Sequence, residues 1–547
     1  MSLQTTSDYG IPFDTLQVAQ AVFPKDNLYL WIREEFDTLF TNKAFVSLCP
    51  QRGQPAESPW RLALVTVMQF LENLTDRQAA ESVRARIDWK YVLGLSLTDP
   101  GFHYSVLSEF RTRLVNGRME QLLFETVLEQ LQTRRLLDIH EQRTDSTYIL
   151  GKLRKLNQLE LAGETVRHVL DVLAEVAPAW LLSWLPEDWK DRYGQPWSDY
   201  RLPRKETDRR ALTQMVGQDG YLLLEQLSGA TAPWWLGELP AVRVFRQLWI
   251  QEFNQEQGQV VCRTEQNSPP TGQEICSPHE PEARYGRKRD ARWIGYKVHL
   301  TETCSPNAPN LITHVETTYG SVSDVAMVST VHEKLAQYKR KPKEHLVDAG
   351  YVTSDTLVES WVQYQVNLVG PVRVNPSPQA TTGSPYDITH FHIDWDQKSV
   401  TCPQGHSSRR WRYSKGRRGK PSILVEFHPK DCQACSARTQ CILGSKATQR
   451  NLTFQHRAEF EALHEARRRQ QTAAFHAQYA KRSGVEGTIS QAVFVLGMRR
   501  ARYRGLQKVH LQHLLTATAM NLSRTFSWCM ETPRSRTRKS PFARLVA

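Results

Sequence analysis

Apolar positions recur at helical spacing through the first 137 residues. Ser58-Pro59 sets an N-cap before a proline at the first helical position, and Trp60 to Leu74 is then largely apolar. Thr75-Asp-Arg-Gln78 has the form of a capping box that opens the next helix. A third helical pattern runs from about Ser105 to Leu137. Near residue 139 the period changes, and Ile139 to Leu150 reads as a strand. A long stretch rich in tryptophan, with mixed helical patterns, interrupts it. Strand signals resume at Trp293, where Ile294, Tyr296, Val298 and Leu300 alternate with Lys297, His299 and Thr301. Asn310–Thr317 is a further strand and Asp324–Tyr338 a helix. Glu344–Asp348 is a short apolar strand, Thr353–Gln365 a helix and Asn367–Val372 a strand. A second interruption, rich in Pro, Gly, Ser and basic residues, precedes a long helical region from about His456. In its last helix Leu511, Leu514, Leu515, Ala519 and Leu522 form one apolar stripe. No internal repeat is visible.

The order β-β-β-α-β-α-β, with the first strand split from the second by an insertion, describes an α/β fold with a ribonuclease H-like core. In that arrangement the first and fourth strands run side by side in parallel. The expected organisation is a helical region over 1–137, and a core assembled from 138–153, 284–372 and 454–530. A Trp-rich insertion spans 154–283, a cysteine-bearing insertion 373–453, and a basic tail 531–547. Tryptophans in such an insertion are more often core than nucleic-acid stackers.

A chain of 547 residues with 40% hydrophobic positions builds more than one core. Its net charge of +13 favours polyanionic partners. No apolar run reaches the roughly 20 residues of a membrane span, and the N-terminus lacks signal-peptide features. A cytosolic protein without a membrane role is expected. The basic helical residues Arg77, Arg84, Arg86, Lys90, Arg111 and Arg113 suit a helix-turn-helix-like DNA-binding module; a helical scaffold or dimerisation domain is the other reading. The tail carries Arg534, Arg536, Arg538 and Lys539 as a charge run.

Three carboxylates stand out: Asp145 and Asp348 on strands, and Glu486 in a helical stretch. Alone, each is ordinary. A strand-end aspartate commonly serves a turn, and Ser483-Gly-Val-Glu486 is itself a capping-box pattern. Together they can hold two divalent cations against a phosphodiester. Tyr479, Arg482 and Glu486 fall at i, i+3 and i+7, one face of a helix if that helix is continuous. If Ser483 caps a new helix they are close but not on one stripe. Arg482 on such a face suits a phosphate, which its planar fork can grip.

At these residues the chain resembles the DDE transposases of bacterial insertion sequences, in the branch with a Tyr–Arg–Glu signature around the third acid. The resemblance is carried by Ser105-Val-Leu-Ser-Glu-Phe-Arg111, Thr144-Asp-Ser-Thr147, Gly295-Tyr-Lys-Val-His-Leu-Thr-Glu-Thr-Cys304, Glu344-His-Leu-Val-Asp-Ala-Gly-Tyr351, Cys402-Pro-Gln-Gly405, Val485-Glu-Gly-Thr-Ile-Ser-Gln491 and Arg499-Arg-Ala-Arg-Tyr-Arg-Gly-Leu506. It implies Asp145, Asp348 and Glu486 as catalytic ligands of two Mg²⁺ or Mn²⁺ ions. It also implies Tyr479 and Arg482 as DNA contacts. The implied activity is metal-dependent cleavage at the element's ends and strand transfer into target duplex DNA, by a homodimer on DNA in the bacterial cytoplasm, at the nucleoid. Where the extended signature has a lysine, this chain has Val493, so that contact is expected to be absent or to come from another basic residue such as Arg499 or Arg500, with Arg502 beside them as a further DNA-binding candidate. A non-catalytic DNA-binding protein and a nuclease without strand transfer are the competing functions.

Cys402, Cys432, Cys435 and Cys441 cluster in the second insertion and suit a structural Zn²⁺, with His406 able to replace one sulfur. Free cysteines in an irregular loop are the alternative. An insertion with few apolar residues favours a metal staple. Trp411 and Tyr413, among Arg409, Arg410, Lys415, Arg417, Arg418 and Lys420, suit a hairpin laid along DNA; a solvated charged loop is the alternative.

Overall fold

The computed structural model describes residues 9–23, 26–48, 57–256, 259–263, 273–288, 290–415, 419–444, 447–532 and 541–545. The expectations for Arg417, Arg418 and the tail cations Arg534, Arg536, Arg538 and Lys539 lie outside these residues.

A mixed sheet occupies the centre. Its strands are β1 (Glu141–Leu150), β2 (Arg284–Lys288), β3 (Ala291–Thr303), β4 (Ile312–Tyr319), β5 (Glu344–Val347) and β6 (Asn367–Val369). β1 is antiparallel to β3, and β3 is antiparallel to both β2 and β4. On its other side β1 pairs in parallel with β5, and β5 in parallel with β6. The parallel pairs are reached through the helices Val328–Gln337 and Ser354–Tyr364, the crossover that parallel neighbours require. β2, which the alternation did not reveal, is a short strand of basic and small residues, Arg-Tyr-Gly-Arg-Lys, with one buried position.

Five helices from Pro59–Leu71 to Leu122–Thr133 form the N-terminal region among the described residues from 57 to 133. Thr75 and Gln78 make both halves of the capping box, whereas Ser58 makes no side-chain cap bond. The last long helix, Leu506–Cys529, joins this region to the sheet. Leu511, Leu515, Ala519 and Leu522 enter the core of the N-terminal helices. Leu514, Ala517 and Met520 pack instead with Val298, Leu300 and Val315 of the sheet. The single stripe read from the sequence is therefore two faces of a helix buried all round.

Much of the basic face expected on the N-terminal helices is turned inward. Arg111 is buried against Asp76 at 2.5 Å and lies over the Tyr503 ring. Arg86 is held between Glu72 and Asp88, each at 2.6 Å. Lys90 is buried and donates to the Ser96 and Asp99 carbonyls.

The Trp-rich segment forms its own helical core around Trp189, Trp197 and Trp249. Trp197 and Trp249 seat on Gly163 and Gly220, where any Cβ would overlap the indoles. The cysteine-bearing segment carries a three-stranded sheet (Arg410–Lys415, Pro421–Glu426, Asn451–Phe454). Its small core contains Phe391, Val400, Ile423, Val425, Phe427, Leu452 and Phe454. It is thus less core-poor than its composition suggested, because seven scattered apolar residues converge. Trp411 joins this core through Trp395 and Phe454, while Tyr413 is exposed and stacked on His456.

Candidate active site

Arg143 and Asp145, two apart on β1, share one face of the sheet. Arg143 is buried, bonds Glu302 of β3 at 2.7 Å and donates to the Lys481 carbonyl. The fully buried Glu302 also accepts from Arg524 at 2.8 Å and Thr488 at 2.5 Å. A buried carboxylate is tolerated when its lone pairs are satisfied in this way. The network pins the helix Gly484–Ser490 over β1. Gly484 lies directly on the Arg143 guanidinium, and a Cβ there would overlap it.

The β1–β5 register ends at Thr144–Val347. Asp145 and Asp348 occupy the next position of each strand, on chains that run about 5 Å apart. Asp348 Oδ1 accepts from the Gly350 amide at 2.7 Å. A Cβ on Gly350 would stand 2.9 Å from that oxygen and 3.4 Å from Oδ2 of Asp324. Glycine here leaves the space between those two carboxylates open.

The chain from Ala473 to Ser490 stays right-handed. An α-helix, Ala473–Ala480, passes through one tight turn, Lys481–Ser483, into Gly484–Ser490. Ser483 has helical φ and ψ and makes no cap bond, so it does not start a new helix. Arg482 therefore reaches both ways. Its Nη2 binds Asp145 Oδ2 at 2.5 Å, and its Nη1 binds Glu486 Oε1 at 2.9 Å. Its buried Nε has no hydrogen-bond partner among the described residues. Tyr479 stacks on Phe475 with centroids 5.5 Å apart. Burial raises its phenol pKa, and the charges of Asp348, Asp145 and Glu486 add to this. Burial likewise pushes the Asp145 carboxyl up, with Asp348 contributing and Arg482 and Lys288 opposing.

A second cluster, not singled out from the sequence, adjoins these acids. Asp324 Oδ1 binds Lys297 at 3.0 Å and the Ser146 hydroxyl at 2.9 Å. Burial works against its ionisation, but Lys297, then Lys288, hold it below the usual carboxylate range. Lys288 stands 3.8 Å from Asp145 and 4.0 Å from Asp324. In the sequence Asp324 reads as an ordinary acid in the first turn of a helix. Lys297 reads as an outward strand position and Lys288 lies outside any strand read from the sequence, so no local signal marks the cluster.

Of the other basic candidates, Arg499 lies 3.8 Å over the Tyr148 ring and donates to the Thr147 hydroxyl at 2.9 Å. Arg502 donates to the Leu74 carbonyl at 2.9 Å and covers Phe70. Arg500 is exposed. Val493 is buried in a wide helical turn, Gln491–Val495, that closes this helix.

Cys402, Cys432, Cys435 and Cys441 line one small cavity together with His406. The Arg450 amide donates to Cys432 Sγ at 3.4 Å. Burial pushes the Cys441 thiol up, and the three other cysteines add to it against Arg450. Among the described residues no group of three or more His, Cys, Asp or Glu side chains is gathered in a form that could hold a metal ion. At the acids, Arg482 and Lys288 supply the positive charge.

Two family models match the chain. Residues 401–526 match a transposase DDE domain, a span that includes Arg482, Glu486 and most of the helix Leu506–Cys529. Residues 17–113 match a transposase domain (DUF772), which covers most of the N-terminal helices. Both models describe transposases, proteins of insertion sequences and other mobile elements, and at this general level the chain is similar to them. No curated protein matches the chain. Among the described residues no helix is long and apolar enough to cross a membrane.

Proposed function

We propose that this chain is an active DNA transposase with a ribonuclease H-like catalytic core. It cuts phosphodiester bonds at the ends of its element and joins them to target duplex DNA, as a dimer on the DNA. The observation that carries the reading is the meeting of Asp145, at the end of the β1–β5 ladder beside Asp348, with Arg482 and Glu486 from a helix more than 330 residues later. Three antiparallel strands followed by two parallel ones support the same reading, as does the cationic chain.

Asp145, Asp348 and Glu486 are the residues that would hold two divalent cations, Mg²⁺ or Mn²⁺. The donor set is all carboxylate oxygen, which suits these hard ions, and Asp145 is already burdened by burial and by Asp348. Held there, such ions would supply positive charge to the scissile phosphate and to the attacking oxygen. The chain's own groups do the rest. Arg482 offers an unmatched N–H to a phosphate oxygen as its fork leaves the carboxylates. Tyr479 gives a hydroxyl beside it. Asp324, Lys297 and Ser146 brace the segment next to Asp145. Phosphoryl transfer depends on such positioning more than on a protein base.

The test is cleavage of duplexes carrying the element's ends by purified protein with Mg²⁺ or Mn²⁺. Asp348→Ala is expected to abolish cleavage and strand transfer while DNA binding persists. Strand transfer by a folded Asp348→Ala protein ends the proposal. Wild-type protein that binds these ends but never cuts them is a non-catalytic binding protein. Cutting without joining identifies a nuclease.

A further inference from the structure

A cleft of about 870 Å³ opens where β1 ends. Its walls come from three segments distant in sequence: the turn after β1, the start of β3, and the loop before the terminal helix. Lys152, Lys155, Arg292, Arg500 and Arg504 line it, and all five are exposed. Among the described residues none of the five has a carboxylate oxygen within 4.0 Å. Arg154, also on the wall, is committed to Glu160 at 2.7 Å. Two acids lie behind this wall: Glu280 accepts from the Tyr296 hydroxyl and also attracts Arg504, and Glu282 accepts from the Leu506 amide. Like charges repel, so a fold gathers five of them only at a cost that a bound anion removes.

The cleft is also rigid. The Leu150 amide donates to the Arg499 carbonyl and the Ala501 amide to the Leu150 carbonyl, both at 2.9 Å, so Arg500 is clamped to the end of β1. Gln512, buried in the terminal helix, accepts from the Arg502 amide at 2.7 Å and donates to the Arg500 carbonyl at 3.0 Å. Arg499 and Arg502 are spent on internal contacts, which leaves Arg500 and Arg504 facing out. Tyr285 and Trp293 complete the wall. Paired cations on fixed backbone suit a run of phosphates rather than one small anion.

We propose that this cleft is a phosphate track for duplex DNA, separate from the carboxylates and outside the reacting bond. Leu150 lies five residues along β1 from Asp145, roughly 17 Å at strand rise. Along the duplex axis one strand advances about 3.4 Å per phosphate, so a duplex lying along β1 meets the track about five nucleotides from the phosphate at the acids. The proposal rests on the transposase reading for the identity of the duplex, while the charge and rigidity of the cleft stand without it.

The experiment measures binding of full-length protein to a duplex bearing the element's ends, to a random duplex and to single-stranded RNA, across a salt series. The triple variant Arg292→Ala, Arg500→Ala, Arg504→Ala is expected to lower the salt slope on both duplexes by about two to three, close to 0.9 per lost phosphate contact. Ethylation interference about five nucleotides from the cut should vanish with it. An unchanged slope and interference pattern in a folded variant overturns the track. A slope change confined to RNA overturns it too. If the triple variant does not fold, Lys155→Ala with Arg292→Ala carries the same test, with a drop of about two. A wild type that never cleaves, yet shows the slope difference on duplexes, supports the track and removes only the catalytic reading.

Discussion

Arg482 has two carboxylates for one guanidinium. By spacing alone, its pairing with Glu486 is an exposed i,i+4 contact worth about 0.3–0.5 kcal/mol. The structure adds Asp145 from another element at 2.5 Å, with both partners largely buried. Arg482→Ala should therefore cost some stability, on the order of 1–3 kcal/mol, because it strips a counter-charge from a buried acid. Under the proposed function it should cost far more in activity. Cleavage is expected to fall by about 100-fold or more in protein that is still folded at the assay temperature. Arg482→Lys should recover charge but not the fork, and so only part of the rate. Tyr479→Phe should be milder, since one hydroxyl is lost. Near wild-type cleavage by folded Arg482→Ala protein would return the residue to a purely structural role.

At the scale of elements, the cysteine-bearing segment tests whether an apolar core or a metal holds it. Four cysteines and His406 share one cavity beside a core of seven apolar residues, with the Arg450 amide on Cys432 Sγ. The four thiols are not gathered in a metal-holding form among the described residues, so a zinc ion would have to draw them together; in that case protein purified without chelator carries one Zn²⁺ per chain, bound by Cys402, Cys432, Cys435 and Cys441. The double variant Cys432→Ser, Cys435→Ser should lose it and loosen this segment, leaving the central sheet's own packing intact. Elemental analysis near zero, or zinc unchanged in the double variant, rules the ion out and leaves the apolar core as the sole support.

Over the whole molecule, buried histidines set the response to acid. Burial holds His332 and His510 at about 4 and His513 at about 3, and His345 well below its ordinary value. Each is neutral in the fold and hydrogen-bonded, as in His332–His345 at 2.8 Å and His513–Thr317 at 2.8 Å. Unfolding frees a group that titrates near 6.5, so the unfolded state takes up protons first as pH falls. The histidines' stabilisation is therefore complete above about pH 6.5 and is lost as pH falls to about 4 for His332 and His510 and to about 3 for His513, on the order of 3–5 kcal/mol for each of these three. Glu164 acts at lower pH. Burial raises it, but bonds from His279, Arg167 and the Trp197 amide outweigh this and hold it at about 2, so its contribution goes between 4.5 and 2. Urea midpoints should be level above pH 6.5 and fall steeply below it. A profile equally steep with both His332→Gln and His513→Gln would exclude these groups as the cause.

The amino-acid sequence by itself determined which segments are strands and which are helices around the central sheet, because alternation and helical period are local properties of side-chain direction. It marked Asp145 and Asp348 on short strands and Arg482 and Glu486 on one helical stretch, as a set of acids around a cation that resembles a known signature. β2 escaped, since a short basic strand with one buried residue has no period to read. Only the tertiary structure decided what depends on contact between distant segments. It showed that Ser483 continues the helix, held there by Arg143 beneath Gly484. It turned Arg86, Lys90 and Arg111 inward onto partners, and gave the terminal helix two apolar faces because two cores meet on it. It brought Asp324, Lys288 and Lys297 against Asp145, and left Arg500 and Arg504 outward where Arg499 and Arg502 are spent inside. Charge is written residue by residue, but whether a charge is neutralised or exposed is fixed by what the fold sets beside it.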